Sequence, residues 1–181
     1  MILPIVLYGD PVLQRRAQEI PADFPELEAL IQNMFETMYA ASGIGLAAPQ
    51  IGQSWRLFVL DAELADEELY KGQKRVFINP IILEESGDPW PYAEGCLSIP
   101  EIRGDVNRRA AVRLRYEDTQ RVLHEESFDG MLARIIQHEY DHLEGRLFID
   151  LLSPLRRRLV QKKLQLIRNG KLRPEYKHRP R

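Results

Sequence analysis

The sequence predicts an α+β fold, and three observations carry that expectation. Its apolar residues fall into three stretches of helical period, near 25–41, 130–144 and 154–168. Between the first two lie short strand-like runs, grouped together rather than alternating with helices, which argues against a doubly wound parallel sheet. The composition, 44% hydrophobic and 29% charged over 181 residues, is that of a globular chain with core enough for one domain and an appendage.

The first helix is expected over roughly 25–41, where Leu27, Leu30, Ile31, Met34, Phe35 and Met38 form one apolar stripe. Pro25 is tolerated in its first turn, and Ser42-Gly43 ends it. The methionines and the phenylalanine of this stripe read as core packing. Strand-like runs follow at Leu57-Phe58-Val59-Leu60, at Val76-Phe77-Ile78-Asn79 and from Ala111 to Tyr116. The last alternates Val112, Leu114 and Tyr116 with Arg113 and Arg115, one buried face and one solvated. Glu117-Asp118-Thr119-Gln120 supplies a turn, and Arg121 to Phe128 is expected to return as a hairpin partner. Glu84 to Pro91 is expected to be a loop, and the acidic stretch Asp61 to Glu68 a solvated insertion. Asp129 stands where it can cap a second helix, with Leu132, Ile135, Ile136, Tyr140 and Leu143 inward and Gly145 closing it. Ser153 and Pro154 open a third helix that Asn169-Gly170 ends.

The net charge of −2 hides a division. Residues 154–181 carry 11 Lys and Arg against one acid, Glu175, a net of +10, which leaves −12 on residues 1–153. The expected organisation is therefore a body over 1–153 and a basic helix and tail over 154–181. With one cysteine, Cys96, an intrachain disulfide framework is excluded. No apolar run approaches the ~18 residues of a spanning helix, so no membrane partner is expected. The opening Met1 to Asp10 has neither a basic segment nor a small-residue cleavage site, and the cytoplasm is the expected compartment.

The chemistry concentrates in the second helix, where His138-Glu139-Tyr140-Asp141-His142 forms an H-E-x-x-H pattern. Residues i and i+4 lie only ~40° apart around a helix, so both imidazoles can face one metal ion from successive turns. Glu139 projects ~100° from His138, placed to act as general base on a water without ligating the metal. A third ligand is needed. The longer pattern H-E-x-x-H-x-x-G-x-x-H has Gly145 in place but Phe148 where its last histidine would stand. The remaining candidates are a carboxylate or Cys96, in Glu94-Gly95-Cys96-Leu97-Ser98. A Cys-His-His set with one open position is a catalytic metal geometry, whereas a buried free thiol is the commoner fate of a lone cysteine. Spacing along the chain does not decide between them. His124 and His178 stand apart and read as surface residues. Gly43-Ile44-Gly45-Leu46-Ala47-Ala48-Pro49-Gln50 is not a dinucleotide fingerprint. It is either a helix stop and tight turn, or a segment that another backbone approaches closely, with the Gln50 amide as a donor.

Together and in this order, Gly43 to Gln50, Glu94 to Ser98 and Gln137 to Gly145 resemble the three signature motifs of the peptide deformylases. The layout of about 1–155 is similar to that family throughout. The resemblance implies mixed and antiparallel sheets packed around a central metal-binding helix, followed by a C-terminal helix. It implies hydrolysis of the N-formyl group from the initiator N-formylmethionine of nascent polypeptides, with release of formate. By the family's pattern Cys96, His138 and His142 ligate the metal and Glu139 is the general base. The Gln50 side-chain amide and the Leu97 N–H then stabilise the oxyanion. The peptide would lie extended between Ile44-Gly45 and Glu94-Gly95, its methionine in a pocket lined by Ile44, Tyr92, Leu97, Ile135 and His138. Cysteine and histidine ligands alone would suggest Zn2+. The resemblance implies Fe2+ instead, with Zn2+, Ni2+ or Co2+ as substitutes. The alternatives are another small zinc-type metallopeptidase and a non-catalytic binding protein that uses the basic tail. The intact set Gln50, Cys96, His138, Glu139 and His142 argues against the second.

The resemblance also implies that the basic C-terminal helix docks on the ribosome, through ribosomal RNA. Leu155, Leu159, Leu166 and Ile167 alternate there with Arg156, Arg157, Arg158, Lys162, Lys163 and Arg168. The other reading of that pattern is a solvated face on a helix docked to the body.

Overall fold

The computed structural model describes residues 1–180. In chain order its elements are α1 (Leu27–Ala40), β1 (Gly45–Ala47), β2 (Leu57–Asp61), β3 (Lys74–Ser86), β4 (Trp90–Cys96), β5 (Ile99–Arg108), β6 (Ala111–Glu117), β7 (Leu123–Asp129), α2 (Gly130–Leu143) and α3 (Pro154–Arg168). Five strands form one antiparallel sheet in the order β1-β2-β3-β6-β7, and β4 and β5 form a separate antiparallel ribbon. Among the described residues, parallel pairing outside the sheets is confined to the bridges Ile5–His178 and Gln18–Trp55. The fold is α+β, with α2 packed on β1, β2, β6 and β7 and tied to the ribbon by ion pairs. No helix among the described residues is long and apolar enough to cross a membrane.

The apolar stripes expected on α1 and α2 face the core, with Leu27, Leu30 and Tyr140 only partly buried. On α1, Ile31, Met34, Phe35 and Met38 are buried, and the helix starts after Glu26, which adopts a left-handed conformation with φ 62°. Pro25 therefore precedes the helix rather than opening it. The hairpin β6–β7 pairs Val112 with Phe128 and Tyr116 with His124. Gly145 closes α2 with φ 71°. Ser153 accepts a hydrogen bond from the Arg156 N–H, the cap expected for α3.

Several expectations are corrected. Glu84 to Pro91 is mostly strand: β3 runs to Ser86 and β4 begins at Trp90, leaving Gly87-Asp88-Pro89 between them. The polar end of β3 is held by backbone pairing to β6, Ser86 opposite Ala111 and Glu84 opposite Arg113. Asp61 is buried and accepts a 2.6 Å hydrogen bond from the Tyr39 hydroxyl, so the solvated insertion starts only beyond Ala62. Asp129 makes no side-chain cap, and the first turn of α2 is satisfied instead by the Tyr70 hydroxyl, which accepts from the Met131 N–H. Neither remaining histidine stands alone, because His124 Nε2 lies 2.7 Å from Asp118 and His178 pairs with Ile5.

On α3 the docked stripe runs through Val160, Leu164 and Ile167, which leaves Leu155 and Leu159 in solvent, 70% and 66% exposed. Two apolar clusters result. One gathers the N-terminal segment, α1, α3 and the inner face of β5; the other fills the space between the five-stranded sheet and α2. In the second, Phe58 stacks on Phe77 with centroids 4.7 Å apart, and the tilted Tyr116 ring packs on Phe77 at 4.5 Å.

The end of α2 is fixed by a close approach. A Cβ on Gly145 would lie 2.8 Å from the Gln14 backbone, at a positive φ that disfavours any side chain. Gly145→Ala is expected to destabilise the protein by about 2–4 kcal/mol, measured by urea denaturation.

Candidate metal centre

α2 is buried around almost its whole circumference, so its polar residues must find partners inside the protein. His138 and His142 project from successive turns with ring centroids 5.3 Å apart. Cys96 ends β4 after a break in register between Gly95 and Cys96, an irregularity that re-aims the strand end. Its Sγ lies 3.3 Å from His142 Nε2. One donor atom from each of Cys96, His138 and His142 falls within 4.8 Å of the others. Small side-chain rotations would let all three make bonds of ~2.0–2.3 Å to one ion. A thiolate and two imidazoles are the donor chemistry of a divalent transition-metal site, and the residues fit one.

The network behind the histidines fixes which nitrogen faces that position. Glu94 is buried, and Oε1 accepts from Arg108 Nε at 2.7 Å and Arg134 Nη1 at 3.0 Å. Oε2 accepts from Arg108 Nη2 at 3.0 Å and lies 2.9 Å from His138 Nδ1. Burial would raise the Glu94 pKa, but the hydrogen bonds from His138 and Arg108 outweigh it and hold the carboxyl well below its usual range. A carboxylate only accepts, so His138 Nδ1 carries the proton and Nε2 is left free to ligate. Arg108 also pairs with Asp141 at 2.7 Å, and the Arg134 guanidinium lies over the Trp90 ring at 4.4 Å. Burial pushes His142 well below its ordinary pKa, with His138 and Arg108 acting in the same direction, which keeps that imidazole neutral and able to ligate.

Glu139 is 4% exposed, and burial raises its pKa to about 7 against the opposing charge of His138. Its Oε2 has no hydrogen-bond partner among the described residues, a carboxylate oxygen open to a water or a substrate proton. A Cβ on Gly45 would sit 2.5 Å from Glu139 Oε1, so only glycine in β1 lets this carboxylate lie across the strand. Gln50 belongs to a 3-10 turn, Ala48–Ile51; its Oε1 accepts from the Ala47 N–H at 2.8 Å, which fixes the amide. Nε2 then points at Cys96 Sγ and Ser98 Oγ, 3.4 Å from each. The Gly43 to Gln50 segment is thus both a turn and a surface of close approach, and Gly43 in turn clears space for the Leu97 side chain.

The structure brings together Cys96, His138, His142, Glu139, Gly45 and Gln50, with Leu97 beside them. Ile44 and Ile135 belong to one apolar cluster, between the five-stranded sheet and α2. Tyr92 stands apart, 37% exposed, its ring on Trp90 at 5.7 Å and beside Arg134. Phe148, at the position of the missing third histidine, stacks on His138 at 6.2 Å instead. Sequence reasoning missed Arg108, Arg134 and Asp141. For Arg134 and Asp141 the signal available was charge on a helix with no solvated face; Arg108, at the end of β5, carried none. Glu94→Gln is expected to weaken metal binding about 10–100-fold, measured by competition with a chromogenic chelator.

The polypeptide deformylase family model matches residues 2–158. The peptide deformylase of Christiangramia forsetii is 52% identical over 99% of this chain and 96% of its own length. That of Cytophaga hutchinsonii is 53% identical over 94% and 92%. Among solved structures, a peptide deformylase from Plasmodium falciparum superposes with a TM-score of 0.84 at 39% identity, over 90% of this chain and 94% of that one. The alternative of a different small metallopeptidase is not favoured by these matches. With the Cys-His-His cluster in place, the chain belongs to the polypeptide deformylase family, metal-dependent hydrolases that act on N-formyl peptides.

Proposed function

We propose that Cys96, His138 and His142 hold one divalent ion, and that Glu139, Gln50 and Leu97 act around it to deformylate N-formylmethionyl chains. One observation above all supports this. The Gln50 amide and the three donor atoms reach the same place from the Ala48–Ile51 turn, α2 and the end of β4, and the Glu139 carboxylate, across Gly45, lies near enough to His138 for their charges to interact. When bound, the ion supplies Lewis acidity, making a water acidic enough to deliver hydroxide near neutral pH. Glu139, poised near 7, takes the water's proton as the oxygen adds to the formyl carbon. Gln50 Nε2 and the Leu97 N–H donate to the formyl oxygen as charge develops on it. Glu139 then returns the proton to the amine nitrogen, the C–N bond breaks, and formate leaves the free methionyl N-terminus.

The substrate position follows from the sheets. β1 is the edge of the five-stranded sheet and β4 has only β5 as a partner, so each strand keeps an unpaired edge. We place the peptide between them, along Ile44-Gly45 and Glu94-Gly95, as an added strand. Glu94 contributes backbone alone, since its carboxylate is committed to Arg108, Arg134 and His138. Ile44, Leu97, Ile135 and His138 bound the methionine pocket, with Tyr92 at its rim. We assign Fe2+ as the working ion, with Zn2+, Ni2+ and Co2+ as substitutes that the same donors accept.

For the organisation of the chain, we assign the residues that ligate and react to 1–153 and ribosome docking to 154–181, acting in the cytoplasm on nascent chains. The exposed pair Leu155 and Leu159, beside exposed Arg158 and Lys162, supports a face that meets ribosomal RNA.

The direct test is formate release from a formylmethionyl peptide by anaerobically prepared protein of measured metal content. Turnover with Fe2+, Ni2+ or Co2+ is expected, and cleavage of unformylated peptides without formate release would overturn the reading. Gln50→Leu should lower kcat about 10²–10³-fold, and a near wild-type value would remove Gln50 from the mechanism. Arg158→Glu with Lys162→Glu should weaken salt-sensitive co-sedimentation with ribosomes while leaving turnover of short peptides intact.

A further inference from the structure

We infer that the C-terminal tail is a strap over the oxyanion-stabilising elements, with Tyr176 positioning the Leu97 N–H. The inference rests on the proposed role of Leu97. In the β4–β5 ribbon Cys96 pairs directly with Ile99, so Leu97 and Ser98 form a two-residue turn outside the ladder. The peptide joining Leu97 to Ser98 lies wholly outside that ladder. Each of the turn's carbonyls is instead held from outside the ribbon. The Tyr176 hydroxyl donates to the Leu97 carbonyl, and the Tyr8 N–H donates to the Ser98 carbonyl at 2.8 Å.

The strap is anchored immediately after Tyr176, at Lys177 and Arg179. The Ile5 N–H donates to the Lys177 carbonyl at 3.0 Å, and the Arg179 N–H donates to the Ile5 carbonyl at 2.8 Å. Lys177 Nζ reaches the Ile2 carbonyl at 2.7 Å. The next residue of the N-terminal segment carries the connection onward, since the Val6 N–H donates to the Gln50 carbonyl at 2.8 Å. Arg179 lies across Gly52, just past the Gln50 turn, in space that any Cβ there would occupy. The tail therefore touches the segments bearing both proposed oxyanion donors, one directly and one through Ile5 and Val6.

The physical consequence is angular. Hydrogen bonds weaken steeply as the donor tilts away from the acceptor, and an oxyanion donor works only when held in place before charge develops. Releasing the Leu97 carbonyl frees the Leu97–Ser98 peptide to rotate, and the Leu97 N–H, joined to that plane through the Leu97 Cα, then spends part of its time misdirected. A loss at the transition state without a loss of ground-state binding appears in kcat rather than KM.

The test compares wild type with Tyr176→Phe, which removes only the hydroxyl and keeps the ring in its apolar seat. Both proteins are loaded with the same metal and assayed on a formylmethionyl tripeptide, with melting temperature and metal content measured. The expected result is a fall in kcat of about three- to tenfold, with KM and metal content unchanged. A wild-type kcat overturns the inference, whether or not the melting temperature drops. A loss that tracks metal content, or that appears as a raised KM, also overturns it, because Tyr176 would then act on the metal site or on substrate binding. A wild-type protein that releases no formate removes the reading of Leu97 itself, a failure distinguishable from wild-type kcat in the variant.

Discussion

Glu94 places a full negative charge inside the protein, among two guanidinium groups and an imidazole. Moving such charges out of water costs several kcal/mol each, a cost offset only when every oxygen and every proton finds a partner. Here both carboxylate oxygens are doubly engaged, by Arg108, Arg134 and His138. Those partners come from β5 and α2, while Glu94 itself comes from β4, so a single set of ion pairs locks the ribbon to the helix. If the ribbon slid against the helix by one residue, buried charges would be left unpaired. The position of Cys96 relative to His138 and His142 is therefore a consequence of Glu94 two residues earlier.

The same constraint puts the centre at the seam between the two apolar clusters. Cys96 and Leu97 pack on the cluster formed by α1, α3 and β5, while Ile44 and Ile135 belong with the sheet and α2. A site at such a seam has dry walls on both sides, where fixed dipoles and charges act more strongly than they would in water. Burial raises Glu139 toward neutrality, and the Glu94 network holds His138 in one tautomer. The proposed base, donor and ligand functions are thus separated by environment more than by residue type.

The helices and β6 were legible in the sequence because each carries an apolar stripe, and β7 because the turn residues Glu117 to Gln120 precede it. β5 was not. Its inner face reads Ile102, Gly104, Val106 and Arg108, and a glycine and an arginine conceal the alternation that burial makes plain. β4 was hidden for a related reason, since its buried member is Glu94. The H-E-x-x-H pair was legible from helical geometry alone. Chain spacing left Cys96 open because its approach to the histidines is made by the ribbon and its register break, neither of which is local. The contact of Tyr176 with Leu97 spans 79 positions and has no periodic signal at all. On α3 the sequence showed leucines among basic residues but not which of them the body covers, because that depends on the rotation of a docked helix.

The central claim is that one thiolate and two imidazoles, delivered by a ribbon and a helix held together at Glu94, form a single metal site. X-ray absorption at the zinc edge of zinc-loaded protein addresses it most directly. The account predicts one sulfur scatterer at ~2.3 Å with two imidazole nitrogens at ~2.0–2.1 Å and one further light atom. A shell of nitrogen and oxygen with no sulfur would contradict it, because Cys96 would then lie outside the site that the fold builds around it.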